Sequence, residues 1–116
     1  MNLNSLHNVY FIGIGGIGMS ALARYFKFVN KNFGGYDKTE TPLTKDLVKL
    51  GIDIHYEDNL DFISSEYFDL DSTLVVYTPA IPKEHQQWNF FQEHDFLIMK
   101  RAAVLGMIAK EMFSIA

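Results

Sequence analysis

Apolar residues along the chain alternate between short continuous runs of β-formers and longer stretches at helical spacing. "NVYFIGI" (Asn8–Ile14) is such a run and predicts a buried strand. From Ile17 to about Val29, the apolar residues Ala21, Leu22, Tyr25, Phe26 and Val29 recur with the period of a helix. "NFGGYD" (Asn32–Asp37) predicts a short second strand, weakened by its two glycines. "TPLTKDLVKLG" predicts a helix: Thr41 can cap it, Pro42 suits its first turn and Gly51 its end, with Leu43, Leu47 and Leu50 as the apolar stripe.

"IDIHY" (Ile52–Tyr56) alternates cleanly and predicts a third strand. Asp58 to Asp71 is polar and aromatic, which predicts a loop with a helical turn. "STLVVYT" (Ser72–Thr78) is a further continuous strand run, ending in "PAIP". Glu84 to about His94 reads as a helix with Trp88, Phe91 and Gln92 facing inward. "DFLIM" (Asp95–Met99) reads as a fifth strand and Arg101 to about Glu111 as a helix. "MFSIA" (Met112–Ala116) predicts the start of another buried strand, and an apolar end with no polar tail predicts a fragment, residues 1–116, of a longer protein.

Strands separated by helices imply βαβ units, hence an α/β, Rossmann-like, three-layer domain with a mostly parallel sheet of about five strands. Ligands of such sheets gather beyond the carboxyl ends of the strands. That places candidate sites in the loops after Ile14, Tyr36, Tyr56, Tyr77 and Met99.

The length of 116 residues fits one domain with a modest core. The formal charge of −4 argues against a nucleic-acid partner, which calls for a basic face. Backbone amides can still bind an anion. The absence of cysteine excludes disulfides and thiolate metal sites and is compatible with a reducing cytoplasm. No run of about 18 apolar residues predicts a membrane span, and "MNLNSLHN" lacks the apolar core of a signal peptide. A cytoplasmic protein is expected.

The chemistry concentrates at "GIGGIGMS". Gly13, Gly15 and Gly18 satisfy G-x-G-x-x-G, with Gly16 as an extra. The first glycine permits a tight turn, the second lets backbone approach phosphates, and the third lets helix and strand pack closely. The helix N-terminus adds unpaired N–H groups and a partial positive charge. The bland alternative is a glycine-rich turn with no ligand.

Asp37 ends the second strand about 20 residues beyond the motif, where dinucleotide-binding folds place an acid on a ribose hydroxyl; an Asx-turn is the equal alternative. Thr39 and Thr41 read as caps before phosphate-side hydroxyls, and Asp58 and Asn59 as caps before ligand contacts. Pro79 and Pro82 make "YTPAIP" a rigid extended loop, either a ligand wall or plain loop chemistry. Lys100 and Arg101 open the last helix, where cations oppose the dipole unless an anion lies nearby; solvated charges are the alternative. The four histidines show neither metal-ligand nor triad spacing, and no G-x-x-x-x-G-K-[ST] segment occurs.

Taken together, "YFIGIGGIGMSALARYF", "GYD", "LVKLGIDIHYEDN", "STLVVYTPAIP" and "KRAAVLGMIAKEMFSIA" resemble the N-terminal domain of a Mur ligase, from about Val9 to Ala116. The double glycine and the Met19-Ser20 after it carry the resemblance most specifically. The resemblance implies a Rossmann-like domain that binds a UDP-sugar, UDP-N-acetylmuramate, rather than a nicotinamide cofactor. It implies diphosphate contacts at Gly13, Gly15, Gly16, Ile17, Gly18, Met19 and Ser20, and substrate contacts at Asp37, at Thr78, Pro79, Ala80 and Ile81, and at Arg101.

ATP, magnesium and L-alanine are implied for further domains absent from this chain. There the family reaction activates a carboxylate as an acyl phosphate for attack by an amine. No catalytic residue or metal ligand is expected within these 116 residues, and the chain alone is expected to be inactive. Tyr36 stands where many members have Ser, Glu57-Asp58 where many have Gly-His, and Ala103 where a Glu follows the Arg. A tripeptide-recycling sibling of the same family, an NAD-binding dehydrogenase domain and a regulatory nucleotide-sensing Rossmann module are the rival readings.

Overall fold

A computed structural model describes residues 6–14, 17–28, 31–77 and 84–114, with side chains described outside 17–20 and 108–114. Among the described residues five strands alternate with four helices: β1 Asn8–Ile12, α1 Ile17–Phe28, β2 Asn32–Tyr36, α2 Pro42–Lys49, β3 Asp53–His55, β4 Thr73–Tyr77, α3 Gln86–Glu93, β5 Leu97–Lys100 and α4 Arg101–Ser114. Two 3₁₀ turns, Leu60–Phe62 and Ser65–Phe68, bridge β3 and β4. Every strand pairing is parallel, in the order β3-β2-β1-β4-β5. The expected α/β domain with a parallel sheet is therefore present. Strand order runs outward from β1 in both directions, so the switch point lies between β1 and β4.

β1 reads as a continuous apolar run because both of its faces are covered. Val9 and Phe11 point into a core with Leu22, Ala23 and Phe26 of α1, Leu47 of α2 and Val104 of α4. Tyr10 and Ile12 point the other way, into a core with Phe91 of α3, Phe96, and Ile63 and Tyr67 of the 3₁₀ segment. The result is three layers with the sheet in the middle.

The glycines of β2 serve the packing. A Cβ on Gly35 would lie 2.4 Å from the Phe11 carbonyl oxygen, and one on Gly34 would lie 2.8 Å from that of Asp53. They cost strand propensity and permit close approach to the strands on either side.

Several boundaries differ from expectation. β5 begins at Leu97 rather than Asp95, because Asp95 adopts φ +59° and turns the chain before Phe96 is buried. In α3 the buried residues are Gln87 and Phe91, while Gln92 is exposed. Met112 to Ser114 continue α4 and do not start a strand. Ala109, Lys110, Glu111 and Met112 are strong helix formers, and a strand there would need a sheet edge to receive its backbone groups. Ile115 and Ala116 lie outside the described residues.

Candidate functional site

The carboxyl edge of the sheet gathers most of the expected residues. Beyond Ile12 the chain turns at Gly13, whose φ of +93° is open to glycine and strained for other residues. The N–H groups of Gly13 and Ile14 both donate to the Tyr36 carbonyl, at 2.8 and 3.0 Å. The turn is thus tied to the end of β2. Ile17, Gly18, Met19 and Ser20 form the first turn of α1, a helix of 12 residues, so its unpaired amides sit beside the switch point. Gly15 and Gly16 lie outside the described residues.

Asp37 follows β2 and is half-exposed. Its N–H donates to the His55 carbonyl at 3.1 Å, and its Oδ1 accepts from the Thr39 N–H at 3.1 Å, the Asx-turn geometry. Thr41 caps α2: its hydroxyl accepts from the Thr44 N–H at 3.2 Å, and the Thr44 hydroxyl oxygen accepts from the Thr41 N–H at 2.8 Å. The capping reading holds for Asp58 and Asn59 as well. Asp58 accepts from the N–H groups of Gln86 at 2.7 Å and Gln87 at 3.0 Å, closing the N-terminus of α3, and Asn59 accepts from the Asp61 N–H at 2.9 Å.

Two clusters beneath this edge escaped the sequence reading. In the first, the His85 imidazole is 5% exposed, and its Nδ1 lies between the Trp88 N–H, which donates to it at 3.3 Å, and Asp58 Oδ1 at 3.3 Å. Its Nε2 is buried without a hydrogen-bond partner among the described residues. Its ring meets that of Tyr36 edge-to-face, with centroids 4.7 Å apart. Burial holds the imidazole below its ordinary pKa, and Asp58 opposes that effect. Burial, then the charges of Asp58 and Asp37, raise the Tyr36 phenol.

In the second cluster, the Tyr10 hydroxyl donates to Gln87 Oε1 at 2.6 Å and lies 2.8 Å from His55 Nε2. Gln87 Nε2 lies 2.8 Å from the same His55 nitrogen and donates to the Asn59 carbonyl at 3.1 Å. The one Tyr10 hydroxyl proton goes to Gln87 Oε1, so a bare His55 Nε2, with the proton on Nδ1, accepts from Gln87 Nε2. Burial, the main cause, lowers the His55 pKa and keeps that neutral form. A tyrosine in a fully buried strand needs a partner for its hydroxyl, and that was the available signal. Its identity, Gln87, depends on packing.

At the other side of β1, Tyr77 ends β4 and packs on Trp88 with centroids 4.4 Å apart. Thr78, Pro79, Ala80 and Ile81 lie outside the described residues, as does Pro82. Lys100 ends β5 in register with Tyr77, and Arg101, half-buried, opens α4 at the same edge. An open groove of about 550 Å³ includes Tyr77 and Trp88 but otherwise runs along Asp95 to Ile98, so it takes in little of the edge. Among the described residues no cluster of His, Asp or Glu can hold a metal ion, and no helix is long and apolar enough to cross a membrane.

The arrangement offers backbone donors to an anion, a carboxylate one strand away and a cation two strands away on the other side. Residues 8–112 match the family model described as Mur ligase family, catalytic domain. The whole chain is 60% identical to UDP-N-acetylmuramate–L-alanine ligase of Flavobacterium psychrophilum and covers 26% of it. It is 54% identical over 95% of its length to the ligase of the same name from Parabacteroides distasonis, covering 24% of that protein. The crystal structure of the UDP-N-acetylmuramate–alanine ligase MurC from Thermotoga maritima matches with a TM-score of 0.78 at 31% identity, over 90% of this chain and 23% of that one. The chain spans about a quarter of the length of the curated relatives it matches. A glycine turn opening α1 at the switch point of a parallel sheet, and a family match running from β1 into α4, together place this chain in the Mur ligase family.

Proposed function

We propose that the chain is the N-terminal, UDP-N-acetylmuramate-binding domain of a UDP-N-acetylmuramate–L-alanine ligase, an ATP-dependent cytoplasmic enzyme of peptidoglycan precursor synthesis. The observation that carries this reading is the 60% identity, over an alignment of all 116 residues, to a relative of that name. The geometry supports it: a helix N-terminus of an adequately long helix, reached through a glycine at positive φ, suits a diphosphate.

In this reading Gly13, Gly15, Gly16, Ile17, Gly18, Met19 and Ser20 cradle the diphosphate. Asp37 reaches the nucleoside, Arg101 offsets anionic charge, and Thr78, Pro79, Ala80 and Ile81 wall the cleft. The chain binds and orients one substrate. In this reading ATP, magnesium and L-alanine belong to parts of the enzyme outside these 116 residues, which hold no Walker-type loop.

Calorimetric titration with UDP-N-acetylmuramate, UDP, NADH and ATP tests the reading. Binding of both UDP compounds is expected. Binding of NADH with no response to UDP compounds overturns it. A Gly18→Val variant that stays folded is expected to lose UDP binding, because the added bulk stands at the first turn of α1; unimpaired binding there refutes the placement of the site.

A further inference from the structure

Tyr36 closes β2 one residue before Asp37, and its carbonyl accepts both described amides of the glycine turn. Its backbone is therefore held at a fixed offset from the N-terminus of α1. The side chain lies on the α3 side of the sheet, half-exposed, against the second core cluster. The His85 ring backs it edge-to-face at 4.7 Å and 67°, and the His55 ring lies 6.1 Å away. Neither support is loose. His85 is buried and held between Asp58 and the Trp88 N–H, and His55 lies beside Tyr10 and Gln87. A half-exposed phenol ring braced in this way can take a flat partner at small entropic cost.

Neighbouring strands lie about 4.8 Å apart, so the end of β2 stands one strand spacing from the turn that faces α1. A ribose bridges a separation of that order between a phosphate and its base. Tyr77, the counterpart on the other side of Ile12, is covered by the larger Trp88 ring at 4.4 Å and is followed in sequence by Thr78 rather than an acid.

We propose that Tyr36 is the stacking platform for the planar base of the nucleotide, a specificity-determining contact through the π-face. This rests on the UDP-sugar reading and deepens it: the base is selected for flatness by Tyr36, while Asp37 beside it offers an acceptor to the nucleoside.

The test compares UDP with 5,6-dihydro-UDP, which keeps the same oxygen and N–H groups but has a puckered, non-aromatic ring. Binding is measured by calorimetry on the natural full-length protein that carries these residues. Wild type is expected to bind UDP about tenfold or more tightly than the dihydro compound, as stacking on an aromatic side chain implies. Tyr36→Phe is expected to keep that preference. Tyr36→Leu keeps apolar bulk over His85, so the fold holds, and is expected to bind both compounds alike. Equal binding of the two compounds by wild type, or an undiminished preference in Tyr36→Leu, overturns the proposal while the UDP-sugar reading stands. Absence of any UDP binding by wild type overturns both.

Discussion

A methyl group at Gly35 has nowhere to go: it would lie 2.4 Å from a main-chain oxygen of the neighbouring central strand. Gly35→Ala is therefore expected to destabilise by at least about 1–3 kcal/mol, read as a lower urea midpoint at unchanged slope. Gly106 is the counter-case. It is exposed within α4, and an added Cβ meets nothing within 4 Å among the described residues, so Gly106→Ala is expected to stabilise by up to about 1 kcal/mol through helix propensity. The same substitution takes opposite signs, although both residues read simply as glycine in the sequence.

The buried imidazoles set a pH dependence at the same scale. Burial lowers the pKa of both His55 and His85 in the fold. Below the ordinary value of about 6.5 the unfolded chain takes up protons that the folded chain refuses, so stability falls as pH drops through that window and is flat above it. Their contribution is expected to lower the thermal midpoint between pH 7 and pH 5.5. His55→Gln is expected to flatten that slope, whatever it does to the midpoint at pH 7. An unchanged slope removes His55 from the account.

The two helices α2 and α3 owe their starts to caps of different reach. α2 is capped locally: Thr41 was legible as the cap before Pro42, and the return bond from the Thr41 N–H to the Thr44 hydroxyl was added by the structure. Thr41→Ala is expected to cost about 1 kcal/mol in chemical unfolding. α3 is capped from afar: Asp58, on the loop after β3, accepts the amides of Gln86 and Gln87. Asp58→Ala is expected to cost about 1–2 kcal/mol and to raise hydrogen exchange at the first turn of α3. That Asp58 caps was legible from its residue type. Which helix it caps was not, because the partner lies 28 residues away. At α4 local preference prevailed over the apolar look of "MFSIA", and helix formers carried the helix to Ser114.

For the whole molecule, the parallel sheet follows from strands and helices in alternation, since parallel neighbours need a crossover between them. Five strands in the order β3-β2-β1-β4-β5 bring the glycine turn, Asp37 and Arg101 to one edge. If that edge takes UDP-N-acetylmuramate, ligand at 100 times its Kd stabilises the fold by about 2.7 kcal/mol. The thermal midpoint is then expected to rise with UDP-N-acetylmuramate and to stay unmoved with NADH.

Local pattern sufficed for the α/β class, for the strand runs of β1 and β4, for the glycine turn and for the Thr41 cap of α2. In each case the cause acts over a few residues: periodicity, a missing Cβ, a hydroxyl near its own helix end. The tertiary structure alone decided that Tyr10 finds Gln87 and His55, and that Asp58 and His85 meet at the start of α3. It also decided that Tyr36 holds the glycine turn by its carbonyl and sets its half-exposed ring against His85. Those contacts join residues 22 to 77 positions apart. A buried polar group demands a partner, but only the packed sheet determines which residue stands within reach.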